Sequence, residues 1–243
     1  MTNSPRRTSH QQHLLRAYIV AVAVVSLWLT TLVWLLERSL VAPGKGVYVA
    51  IFCVLLFIGE TRSKWFRFGD GGEVTPGWAF AFGIVLFGSP VIAIVAMAAC
   101  TLYADIREHK GLAKVVFNTA QITASLAAGA VMLQLIGLRE PLTDGGRPSY
   151  RWAIGILLAG ALVFIANSVA TCVVLALHYT TSVRSLMGRS FFVSISADGA
   201  LLALSPIFVV AIDYSLLMLP LLGVTALLIY QSTQQALRRA HEA

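Results

Sequence analysis

Charged side chains make up only 12% of the 243 residues, while 58% are hydrophobic. An ordinary soluble domain carries about twice that share of charge. A water-soluble fold of this composition would leave large apolar patches facing solvent, which excludes that class and points to lipid as the surrounding medium. Acids are scarcer than bases, 11 against 18, giving a net charge of +7. The Lys and Arg are scattered among short connectors and build no basic face with interleaved aromatics, which excludes a nucleic-acid-binding surface. The three cysteines, Cys53, Cys100 and Cys172, each lie inside an apolar run without CxxC spacing. They read as small buried hydrophobes rather than a zinc site or disulfide framework. His109 and His178 belong to no HExxH or Cys/His cluster, so no metal is expected. The stretch Gly69 to Glu73, GDGGE, lacks the Lys-Ser/Thr that a phosphate-cradling loop needs. No catalytic residue and no cofactor are predicted.

Long uncharged runs fill the space these absences leave. Apolar spans are predicted at 17–36, 43–59, 74–88, 90–104, 115–137, 152–178, 191–212 and 214–231. The expected fold is all-α, a polytopic transmembrane helical bundle of about 8 membrane segments, including a short or re-entrant hairpin at 74–104. It would comprise a cytoplasmic N-terminal tail (1–16), a transmembrane domain (17–231) and a cytoplasmic helical tail or linker (232–243). The first apolar run is longer than a signal-peptide core of about 7–15 residues and reads as a retained helix.

Two arguments favour the hairpin. A single helix over 74–104 would be about 46 Å long, well beyond a ~30 Å hydrocarbon core. Pro90 disfavours helical geometry at Ser89, and Gly88 permits the chain to reverse. Charge is the second argument. With a hairpin, 13 of the 18 Lys and Arg share one side, in connectors around Arg6, Arg62, Arg107, Arg184 and Arg238. The other 5, around Arg38 and Arg139, lie opposite. A single crossing makes the division 9 against 9. The positive-inside rule selects the first, with both termini cytoplasmic. Each arm would have about 15 residues, roughly 22 Å of helix, short for a full span. Tryptophans near the span ends, including Trp28, Trp34, Trp78 and Trp152, fit an aromatic belt.

Asp198 lies inside the run 191–212, where an ionised group costs ~2.5–3.5 kcal/mol at a helix centre, so it should face protein and have a partner. It is either a proton-linked or ligand-contacting group or a structural buried acid. Asn118 and Gln121 are spaced i, i+3; Asn167 and Thr171, and Ser194 and Asp198, are spaced i, i+4. Each pair shares a helix face. These six residues would line a polar cavity between segments 5, 6 and 7, or supply interhelical hydrogen bonds, and both readings stand. Pro206 removes the donor for the Leu202 carbonyl and would form a hinge, as Gly88 and Pro90 would in the hairpin.

After Tyr230 the chain continues as Gln231 to Ala243, polar and free of Gly and Pro. Tyr230, Thr233, Leu237 and Ala240 follow a 3-4-3 spacing that would form a homodimer seam. This tail resembles the juxtamembrane linker preceding GGDEF domains in bacterial cyclic-di-GMP signalling proteins. The segment Lys114 to Gln121, KVVFNTAQ after a basic turn, adds to the likeness. The chain is similar to the multi-pass N-terminal sensor region of such proteins (GGDEF, EAL or HD-GYP type), without the output domain. The resemblance implies a signal-input module in the bacterial inner membrane. It would relay a membrane or small-ligand signal through its last helix to a cytoplasmic cyclase or phosphodiesterase domain. The alternative is a vitamin-like small-molecule carrier, for which the broken hairpin and the pair Ala17 and Ala21 speak.

Overall fold

The structure, a computed structural model, describes residues 9–37, 40–61, 67–68, 72–73, 76–138, 142, 150–186, 199–218 and 220. Among these the fold is helical: α1 (Ser9–Leu36), α2 (Gly46–Thr61), α3 (Gly77–Leu86), α4 (Pro90–Arg107), α5 (Leu112–Leu135), α6 (Tyr150–Tyr179) and α7 (Ala200–Tyr214). A two-residue antiparallel pairing joins Arg67 to Glu73 and Phe68 to Gly72. Four helices, α1, α4, α5 and α6, are long and apolar enough to cross a membrane; α2, α3 and α7 are apolar but shorter. The predicted segment 214–231 is described only at 214–218 and 220, and the rest of it lies outside the described residues.

The hairpin is unequal. Instead of two arms of similar length, α3 has 10 residues and α4 has 18. The reversal occurs where Gly88 and Pro90 place it. Gly88 takes φ +74°, and its N–H donates to Val85 O while that of Ser89 donates to Ile84 O. This is a Schellman ending. Pro90 then opens α4, where its missing N–H costs nothing. The same ending recurs at the C-termini of α4 and α5, on His109 (φ 54°) and Gly137 (φ +80°). Short turns of this type hold consecutive helices side by side.

Helix α3 is the centre of the molecule. Every residue from Gly77 to Leu86 except Phe80 is buried, and α3 packs on α2, α4, α5 and α7. At about 15 Å it cannot cross a bilayer alone, and protein rather than lipid surrounds it. Phe52, Phe82, Phe87, Leu86, Met97 and Leu126 are fully enclosed around it. Trp78 is one of these core side chains rather than a member of an aromatic belt, whereas Trp28 and Trp34 are exposed. The outer helices turn apolar side chains outward, with Val20, Val24, Leu27 and Leu35 on α1 and Leu157, Leu158 and Ile165 on α6 all exposed. Such a surface suits lipid and not water.

Successive helices alternate in direction and define two faces. The Lys45 face gathers the bonds from Val91 N–H to Glu37, Ala42 N–H to Ser89 Oγ and Leu142 N–H to Leu86 O, with the Lys45–Asp213 ion pair. The opposite, Lys110 face holds Glu60 against Gly77 and the turn from Asp105 to Asn118.

Candidate functional site

Gln121 on α5 meets Asn167 and Thr171 on α6. Its Nε2 donates to Asn167 Oδ1 at 2.7 Å and to Thr171 Oγ1 at 2.9 Å. Thr171 spends its own proton on the carbonyl of Asn167, at 2.9 Å. Three of the predicted residues are therefore brought together, and they are bonded to one another. Tyr18 on α1 joins α6 beside this group, donating to the carbonyl of Ala170 at 3.2 Å. Farther along α1, Ser26 and Thr123 lie 2.6 Å apart. The single Thr123 proton goes to the carbonyl of Thr119 at 2.7 Å, so Ser26 is the donor. Contacts of this kind average ~0.6 kcal/mol each between membrane helices. They fix α1, α5 and α6 in register.

Asn118 goes elsewhere. Its Nδ2 donates to Asp105 Oδ2 at 2.8 Å across the α4–α5 turn, one helical turn from Gln121 but on the flank that faces α4. Asp105 is 3% exposed, and its other oxygen accepts from Lys110, which also bridges to Glu108 at 3.1 Å. Burial alone would lower the Lys110 pKa. The hydrogen bonds and charges of Asp105 and Glu108 outweigh it, and the net direction is upward. Asp105 is a site residue that a reading of the sequence misses, because it sits at the edge of an apolar span and looks like a connector. The signal was its place opposite Asn118 across a tight helical hairpin.

Asp198 and Ser194 lie outside the described residues. Pro206 is described and sits inside α7. The residue before it, Ser205, is fully buried and donates to the carbonyl of Ala79 on α3 at 2.6 Å. One turn on, Phe208 stacks on Phe80 with centroids 6.0 Å apart. At the end of α7, Asp213 accepts from Lys45 at 2.8 Å. These three attachments, at successive depths on either side of a proline, hold α7 to the α2–α3 core. Lys45 and Asp213 were not legible as a pair, since 168 residues separate them.

The chain matches no family model, no curated protein and no solved structure. Among the described residues, no group of three or more His, Cys, Asp or Glu side chains could hold a metal ion. Cys53, Cys100 and Cys172 are free thiols, the last two buried. Among the described residues, side-chain hydrogen bonds and ion pairs join helices to one another and set their arrangement.

Proposed function

We propose that this chain is a signal-input module of the bacterial inner membrane, which relays a membrane or small-ligand stimulus through α7 and the segment beyond it to a cytoplasmic cyclase or phosphodiesterase output domain. The observation that carries the reading is the set of attachments along α7. A helix that carries Pro206 in its interior and, among the described residues, is held by buried Leu202, Val209 and Ile212 together with one hydroxyl, one ring pair and one ion pair has discrete contacts to exchange when it changes tilt. A two-state element of that kind can transmit a stimulus. The similarity of the tail and of Lys114 to Gln121 to cyclic-di-GMP sensor regions supports the same reading, as does the surplus of Lys and Arg on the connectors assigned to the cytoplasm. With α7 ending on the Lys45 face, the apolar run 214–231 would carry the chain back, placing both termini in the cytoplasm. Tyr230, Thr233, Leu237 and Ala240 would pair two copies.

Fusing a reporter output domain after Ala243 tests the relay. Pro206→Ala, Ser205→Ala and Asp198→Ala are each expected to shift the basal output. Unchanged output in all three would count against signalling through this helix.

One observation favours a carrier instead: a half-length helix enclosed by protein is the form that substrate-binding transporter helices take. Uptake of a vitamin-like solute by liposomes bearing the protein, with no response from the fused reporter, would decide for that reading.

A further inference from the structure

Helices α1 and α5 run parallel: Tyr18 lies against Phe117, and farther along both helices Ser26 bonds to Thr123. Eleven residues beyond that bonded pair stand Glu37 on one chain segment and Gln134 on the other. Eleven residues make three helical turns with about 20° left over, so both return to the faces that meet at Ser26 and Thr123. The helical bond from Glu37 N–H to Val33 O keeps Glu37 in that register. The intervening Val33 and Ala130 on those faces are buried.

Glu37 and Gln134 share a second property. Glu37 Oε1 and Gln134 Oε1 are both buried oxygens without a hydrogen-bond partner among the described residues, and Gln134 as a whole is 8% exposed. The other carboxylate oxygen of Glu37 is in use, accepting from Val91 N–H at 3.2 Å at the start of α4. Two acceptors left over in a place with no matching donor would each cost about 1–3 kcal/mol. The surroundings favour positive charge. Both α1 and α5 end here, presenting the negative ends of their dipoles, and the N-terminus of α4 is met by Glu37 Oε2. Among the described residues, Arg151 donates to the carbonyl of Ile136 at 3.4 Å, and Lys45 pairs with Asp213.

We infer that Glu37 and Gln134 form a binding site for a small monovalent cationic group, an alkali ion or a primary ammonium, where α1, α4 and α5 meet on the Lys45 face. One carboxylate gives the site a single negative charge, which suits a monovalent guest. The carbonyl oxygen of Gln134 supplies a neutral ligand without adding charge. Burial pushes the Glu37 carboxyl up to about 7, against the lowering effect of the Val91 N–H, so protons compete with the cation near neutrality. The site stands whether or not the chain signals.

The test is thermal unfolding of the full chain in zwitterionic nanodiscs at pH 8, with N-methylglucamine chloride replaced at constant ionic strength by sodium, potassium or methylammonium chloride. At least one of the three is expected to raise the melting temperature saturably over the N-methylglucamine control. Glu37→Gln should weaken the apparent affinity at least tenfold and Gln134→Leu should weaken it measurably, while Lys114→Gln, on the opposite face, leaves it intact. The shift should also fade as the wild type is taken to pH 5.5, where Glu37 is protonated; that arm carries the test if Glu37→Gln does not fold. No shift with any of the three cations, or an equal shift in Glu37→Gln, would overturn the site.

Discussion

Asp105 shows how far a single residue can be followed from sequence to energy. Its carboxylate is taken out of solvent at the end of α4 and repaid by two donors, Lys110 and Asn118. Replacing it with Asn removes one of the two acids that pair with the half-buried Lys110 and leaves Glu108, and hydrogen bonds to charged groups are worth about 1.5–3 kcal/mol. Asp105→Asn is expected to cost about 2 kcal/mol in denaturant unfolding. A double mutant that also carries Lys110→Met should recover part of that loss, because the buried end of α4 then holds no cation lacking the Asp105 carboxylate. Glu37 gives a pH signature of the opposite kind. Its folded pKa, about 7, lies above the reference value of 4.5, so the native state holds the proton more tightly than the unfolded chain. Its contribution to stability is complete below about pH 4.5 and is lost as pH rises through 7. Unfolding in N-methylglucamine buffers should show that decline, and Glu37→Gln should abolish it. Of these residues the sequence displays the pairs within one helix, such as Asn167 and Thr171, because helical spacing is local information. It hides Glu37, Asp105, Lys45 and Asp213, whose partners are fixed by turns and packing between distant segments. It also leaves Asn118 and Gln121 looking like one group, although three residues of separation is enough for one to face α4 and the other α6.

At the scale of elements, the helices are punctuated where the chain has a residue that accepts positive φ. Gly88 and Gly137 do so freely; His109 does not, and a non-glycine residue in this region pays roughly 1–2 kcal/mol in steric strain. Glycine gains some of that back in the unfolded chain, so His109→Gly is expected to stabilise the protein by about 0.5–1 kcal/mol, raising its melting temperature without altering the α4–α5 turn. The reversal inside 74–104 was readable from Gly88 and Pro90, which act through local geometry. The lengths of the two arms were not, because an uninterrupted apolar run gives no mark where lipid stops and protein begins. Helix α3 is short because its start is set by packing: a Cβ at Gly77 would strike the Glu60 side chain, and the backbone of Pro76 and Gly77 lies close against Gly59 of α2. A central helix enclosed on nearly all sides has no amphipathic pattern to betray it, so the most deeply embedded element is also the least legible one.

The whole molecule has two faces, and the charge division that the sequence suggests can be compared with them. Among the described residues Arg16, Arg107, Lys110, Lys114 and Arg184 gather toward the Lys110 face, against Lys45 and Arg151 on the other. Each Lys or Arg held on the cytoplasmic side contributes to orientation, and acids contribute little, so the Lys110 face should be cytoplasmic. In a background with Cys53, Cys100 and Cys172 replaced by alanine, single cysteines at Leu40 and Tyr150 report on one face and at His109 and Ser182 on the other, all four positions being exposed. In intact cells a membrane-impermeant thiol reagent should label Leu40→Cys and Tyr150→Cys, and should reach His109→Cys and Ser182→Cys only after permeabilisation. Labelling of His109→Cys and Leu40→Cys from the same side would mean that α3 and α4 together fail to reverse the chain as the two faces require. Because a re-entrant loop and a full hairpin both bring the chain back to the side where α2 ends, either one gives the expected pattern, and labelling from the same side would mean that the stretch 74–104 crosses only once.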